Sequence, residues 1–152
     1  MAGLVDVNVL IALLYEGHAH NEAAIAWLDG TAAPGTVAIC RVAQMGVLRI
    51  MTNRAVLRDD AVTPREFWRG WDRMTDDNRF AFAAEPSTLE SVWRDVIGGL
   101  PAGTIADTDV FLAAFARAGD HTLVTFDRGF RKFRAYSSPY GRQMVALSPR
   151  AL

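Results

Sequence analysis

The chain has 152 residues, 51% of them hydrophobic and 22% charged, with a formal net charge of −1. That length suits one domain with a buried core, taken as 1–152, and the near-neutral charge gives no global pull toward nucleic acid or a membrane surface. One cysteine, Cys40, excludes an intrachain disulfide and a Cys-rich zinc site, and reads as a buried strand residue.

No segment reaches the roughly 18 uninterrupted apolar residues of a membrane helix, and the N-terminus lacks a basic region leading into an apolar run, so the cytoplasm is the expected location. Leu4-Val5 opens as a short strand, followed by a helix from Val7 to Tyr15 and another from His20 to Leu28 that Asp29-Gly30 stops. Gly35 to Cys40 reads as a strand and Arg41 to Thr52 as a helix. Thr63-Pro64-Arg65-Glu66 is a capping box with Pro at the first helical position, opening a helix to about Met74. Phe80 to Ala83 is a short strand, and Ser87-Thr88-Leu89-Glu90 a second capping box whose helix ends at Gly98-Gly99. A helix from Val110 to Ala118, a strand from Thr122, and a last edge strand from Gln143 to Leu147 complete the series. Such alternation predicts an α/β fold: a three-layer α/β/α sandwich around a mostly parallel sheet.

Three short apolar runs each carry an Asp at one edge: Asp6 after Leu4-Val5, Asp109 before Val110-Phe111-Leu112, and Asp127 after Val124-Thr125-Phe126. Each alone serves structure equally well, as a helix cap or a turn residue. Together they predict carboxylates meeting where strand C-termini and helix N-termini share a crevice. Such carboxylates repel one another unless a hard divalent cation lies between them, so the pattern points to a metal-dependent hydrolase. Asn8 is placed to hydrogen-bond the loop or hold a metal-bound water. Gln44 shares an inward helix stripe with Val47, Leu48 and Met51 and must find a polar partner, either in the acidic crevice or on core backbone groups.

After Asp127 come Arg128, Arg131, Lys132, Arg134, Arg142 and Arg150, with Phe130, Phe133, Tyr136 and Tyr140 among them and no acid. Cations interleaved with stackable rings suit a phosphate backbone and unpaired bases, so Arg128, Arg131, Lys132 and Arg134 are candidate RNA contacts. Phe67, Trp68, Trp71 and Met74 form a wide apolar helix face, which reads as core first and as a partner groove second. His18 and His20 lack the spacing of a helical zinc pair and read as residues leading into a helix.

These pieces together resemble the PIN-domain ribonucleases, specifically the VapC-type toxins of bacterial toxin–antitoxin pairs. Val5-Asp6-Val7-Asn8-Val9-Leu10 resembles the family's first acidic motif, Thr108-Asp109-Val110-Phe111-Leu112 its central motif, and Val124-Thr125-Phe126-Asp127-Arg128 its last. The resemblance implies a PIN-like sandwich, Mg2+ or Mn2+, and RNA cleavage. Asp6 and Asp109 would be principal metal ligands, Asp127 would complete the site, and Thr108 and Thr125 would be supporting polar residues. Many members carry Glu on the third helix where this chain has Gln44, within Arg41-Val42-Ala43-Gln44-Met45-Gly46, as in a PIN subgroup frequent in mycobacterial toxins. Gln keeps an oxygen but loses a charge, so weaker metal binding is the expected cost, with Asp107 and Glu85 as nearby acids.

The expected activity is that of a metal-dependent endoribonuclease, the toxin of a type II pair, with a cognate antitoxin and a homodimeric state implied by the resemblance. The alternative is a catalytically weak or inactive PIN-fold RNA-binding module. A haloacid-dehalogenase-type phosphatase fits poorly because Asn8 stands where its second Asp is required. A response-regulator receiver fits poorly because the only Lys, Lys132, lies past the third acid.

Overall fold

The computed structural model describes residues 2–31, 33–103, 108–127 and 145–146. Within them run β1 (Gly3–Val5), α1 (Val7–Leu14), α2 (Asn21–Asp29), β2 (Val37–Ile39), α3 (Arg41–Met51), α4 (Arg54–Leu57), α5 (Pro64–Thr75), β3 (Phe80–Phe82), α6 (Leu89–Gly98), α7 (Thr108–Ala118), β4 (Thr122–Thr125) and β5 (Val145–Ala146). The five strands form one sheet in the order β3-β2-β1-β4-β5, and every described pair is parallel.

This order places the helices. From β1 the chain steps outward to β2 and β3, and right-handed crossovers put α1 to α5 on one face. From β3 it returns past β1 to β4, which reverses the direction and puts α6 and α7 on the opposite face. Packing agrees: α1 rests on α2, α3 and α5, while α6 rests on α7. The result is the expected α/β/α sandwich, with a topological switch between β1 and β4. Both of those strands end in carboxylate-bearing loops at that switch.

The central strands β1 and β2 are wholly apolar because they are covered on both faces, whereas the edge strand β3 leaves Ala81 and Phe82 exposed. Leu4, Val5, Val37, Ile39 and Val124 are buried in one core with Leu10, Val47, Phe67, Trp71, Leu112 and Phe115. The apolar face of α5 therefore serves mainly as core: Phe67 and Trp71 are buried with stacked rings, and Trp68 is the member left exposed.

The first capping box forms as expected. Thr63 Oγ accepts from Glu66 N at 3.2 Å, and Glu66 Oε2 accepts from Thr63 N at 2.7 Å. The second does not. Leu89 N donates to Pro86 O at 2.9 Å, so a turn precedes the helix and α6 starts at Leu89 with Thr88 as a cap that makes no side-chain bond. Glu90 then falls too early to reach back, and accepts instead from Arg94 Nε one turn on at 2.9 Å. Helix α4 and the 3-10 turn Arg58–Asp60 after it were not foreseen; Asn53, whose Oδ1 accepts from Ala55 N, starts α4.

Candidate active site

β1 ends at Val5 and α1 begins at Val7, so Asp6 is the hinge between them. Its backbone stays extended and its Oδ1 accepts from Val7 N at 2.6 Å, which makes it the N-cap of α1. The structural role foreseen for an Asp here is thus present. It does not exhaust the residue, because the side chain is only 4% exposed and its other oxygen accepts from Thr125 Oγ at 2.7 Å.

Thr125 is the last residue of β4 and is fully buried. Its hydroxyl donates to Asp6 and accepts from Asp127 N at 2.9 Å and Asn8 Nδ2 at 3.3 Å. One donor and two acceptor positions are a hydroxyl's whole capacity, so Thr125 is a saturated hub. Asn8 completes the circuit by accepting from Phe126 N at 3.2 Å. Two segments more than 100 residues apart are thereby locked at the switch point of the sheet.

Burial pushes the Asp6 carboxyl up to about 6 from an ordinary 3.8. The bonds from Thr125 and Val7 oppose that rise, and the negative charges of Asp109 and Asp127 add to it. Asp109 is half-buried in the first turn of α7, where the helix dipole favours an anion, and Asp127 is exposed just past β4. The three carboxylates therefore share one electrostatic neighbourhood. Among the described residues, however, no three His, Cys, Asp or Glu side chains are gathered closely enough to hold one ion. Thr108 opens α7 and is exposed. Arg128, Arg131, Lys132 and Arg134 lie outside the described residues, as do the rings among them and Asp107. Glu85 is exposed in a separate cleft with Trp93 and Phe111.

The family model for the PIN domain matches residues 3–136. Ribonuclease VapC41 of Mycobacterium tuberculosis is 41% identical over 135 residues, covering 86% of this chain and 92% of that protein. This chain belongs to the PIN-domain family, among its VapC-type members. Ribonuclease VapC29 of the same organism is 30% identical over 85% of this chain and 88% of its own length. Two solved structures share the fold. VapBC2 from Rickettsia felis, bound to a DNA fragment from its promoter, matches with a TM-score of 0.66 at 16% identity, over 88% of this chain and 94% of that one. VapC20 of Mycobacterium tuberculosis, a sarcin-ricin loop cleaving toxin, matches at 0.63 and 15%, over 97% and 100%.

In this PIN domain Gln44 is buried at 7% exposure on α3. Its Oε1 neither seeks backbone groups nor lies open; it accepts a hydrogen bond from Arg41 Nη1. Arg41 in turn lies over the ring of Phe82, 4.3 Å from the centroid. Sequence reasoning missed both of these residues. The i, i+3 spacing of Arg41 and Gln44 was the available signal, whereas Phe82 becomes their neighbour only through the sheet. It also missed that His20 stacks on Phe126 at 4.5 Å, beside the acidic loop. The Nδ1 of His20 is buried without a hydrogen-bond partner among the described residues.

Proposed function

We propose that this chain is a Mg2+- or Mn2+-dependent endoribonuclease acting as the toxin of a type II toxin–antitoxin pair. The observation that carries the reading is Asp6: a buried carboxylate with an elevated pKa, pressed by two further carboxylates at the switch point of a parallel sheet.

The donor set suits a hard divalent cation. Each Asp6 oxygen accepts one hydrogen bond, from Val7 or Thr125, and keeps a further acceptor position. A cation there relieves the repulsion that Asp109 and Asp127 impose. Asp6 and Asp109 would be its principal holders, with Asp127 completing the site directly or through water. When bound, the ion supplies positive charge to the reacting phosphate and lowers the pKa of water. Thr125 fixes the orientation of Asp6, and Asn8 fixes the loop that carries Asp127. Cys40, close enough for the charge of Asp6 to act on it, is no nucleophile, because burial pushes its thiol pKa up.

The VapC relatives named as ribonucleases support the activity, and the VapBC2 assembly supports a cognate antitoxin. Its C-terminal segment covers the acidic crevice in this reading and offers an Arg to the carboxylates. The same resemblance supports a homodimer. Among the described residues no helix is long and apolar enough to cross a membrane, in keeping with a cytoplasmic protein.

The test is cleavage of a folded RNA pool by the purified chain with Mg2+ or Mn2+, then with EDTA. Cutting that requires the metal is expected. Co-expression with the neighbouring gene is expected to give a co-purifying complex and relief of growth arrest, and light scattering at micromolar concentration a dimer. A weak or inactive RNA-binding module is the second reading, favoured by the engagement of Gln44 with Arg41. It predicts RNA binding without cutting under every metal condition.

A further inference from the structure

Arg41 opens α3 directly after β2 and is exposed, at the same end of the sheet as Asp6. In a parallel sheet all strands end on one edge, and here β1, β2 and β3 lie side by side with Leu4 opposite Ala38 and Ile39 opposite Phe82. Continued, that register makes Asp6, Cys40 and Ala83 level, so Arg41 and Phe82 each lie one residue from the row that holds Asp6. The span from Asp6 to Phe82 is two strand spacings, about 10 Å. Cys40, next to Arg41, is close enough for the charge of Asp6 to act on its thiol.

The chemistry at Arg41 is distinctive. Arg41 is exposed and, like several other arginines among the described residues, has no carboxylate within salt-bridge distance; what sets it apart is what holds it. Two neutral groups hold it instead: the buried Gln44 amide oxygen and the face of Phe82. Phe82 itself is 51% exposed on the edge strand, and Met45, one turn along α3 from Arg41, is 61% exposed. The result is a guanidinium held by neutral groups on an open aromatic surface, two strands along the sheet from Asp6.

We propose that Arg41 and Phe82 form a platform for single-stranded RNA next to the scissile bond, and that Gln44 is the positioning residue that holds Arg41 there without neutralising it. Arg41 binds a phosphate beside the one being cut, and the exposed part of the Phe82 ring packs against an unpaired base. A carboxylate at position 44 would pair with Arg41 and withdraw its charge from the phosphate. The Gln in this third-helix position thus suits substrate holding. The proposal rests on the ribonuclease reading above, since it places the platform beside that site.

The test measures binding of a labelled mixed-sequence single-stranded 12-nucleotide RNA in EDTA, by anisotropy at several salt concentrations. Steady-state cleavage with Mg2+ accompanies it. Arg41→Ala is expected to weaken binding about tenfold and to lower the salt slope by about one. Phe82→Leu is expected to weaken binding about fivefold with the salt slope unchanged, and Phe82→Trp to restore it. Gln44→Glu is expected to weaken binding with a reduced salt slope and to raise KM more than it lowers kcat, while Gln44→Ala loosens Arg41 and weakens binding less. Wild-type affinity and salt slope in Arg41→Ala and Phe82→Leu overturn the platform and leave the nuclease reading standing. A gain in cleavage by Gln44→Glu overturns the role given to Gln44. Unchanged RNA binding with loss of a co-purifying protein partner makes the surface a protein-docking site and also overturns the inference. Failure of the wild-type chain to bind or cut any RNA removes the nuclease reading together with the platform.

Discussion

Thr125 Oγ donates a hydrogen bond of 2.7 Å to Asp6 Oδ2 across 119 residues of chain, at the one place where the sheet order reverses. The same hydroxyl also receives Asp127 N and Asn8 Nδ2. One buried hydroxyl therefore ties Asp6 to the loop that carries Asp127, alongside the β1–β4 ladder and the Asn8–Phe126 bond.

Thr125→Val keeps the volume and removes that hub. Three polar groups lose a partner at once, one of them a buried carboxylate. The expected cost is about 2–3 kcal/mol in urea denaturation, with Thr125→Ser recovering most of it. Equal stability of the Val and Ser variants would show that the hub contributes nothing.

Asp6 makes the metal-free protein pH-sensitive in an unusual sense. Its carboxyl titrates at about 6 when folded and near 3.8 otherwise. Below 3.8 both states are protonated and there is no penalty. Between these values the folded state holds the extra proton, so stability falls as pH rises. Above about 6 the full penalty applies, about 3 kcal/mol from the two pKa values. Asp6→Asn still caps α1 but accepts one bond fewer. It is expected to be about 1–2 kcal/mol more stable than wild type at pH 7 without metal, and to lose the decline between pH 4 and 6. Denaturation curves at both pH values check this; a less stable Asn variant at pH 7 would contradict it.

Divalent metal should offset that penalty. Millimolar Mg2+ or Mn2+ is expected to stabilise the wild-type chain by mass action, by about 2.7 kcal/mol at a hundredfold excess over Kd, and so to raise its Tm. Asp6→Asn is expected to respond much less. Parallel melting curves that move equally would place the bound ion elsewhere.

Gly46 sits where α3 crosses α1 next to the site. A Cβ there would lie 2.8 Å from Val7 Cγ2, a stiff side chain on the residue after Asp6. Gly46→Ala gains up to about 1 kcal/mol of helix propensity but forces a shift at this crossing. A net loss of about 1–2 kcal/mol is expected, relieved in the Gly46→Ala, Val7→Ala pair. A stabilising Gly46→Ala would show that α1 yields freely.

Much of this was legible in the chain because local rules and the global fold agree. The strand-then-Asp pattern located Asp6, and the Ala-rich run located α7 with Asp109 in its first turn. Asn8 reads from its position as bonding the loop or holding a metal-bound water, and the structure shows the first, with Phe126 N donating to it. Less legible was whatever depends on how elements meet. A turn at Pro86 displaced the start of α6 by one residue and cost Glu90 its capping role. The partner of Gln44 is fixed by a rotamer of Arg41 and by Phe82 from β3, which no single-segment pattern contains. Thr125 entered only as a supporting polar residue implied by the resemblance; its saturation by three partners appears once β1 and β4 are paired.

The most direct measurement is the RNA cleavage rate of Asp6→Asn beside the wild type, with Mg2+ present and both proteins shown to be folded by their melting curves. The account predicts metal-dependent cutting by the wild type, and loss of at least about a hundredfold in a variant that is as stable or more so. Cutting at the wild-type rate by folded Asp6→Asn would contradict it.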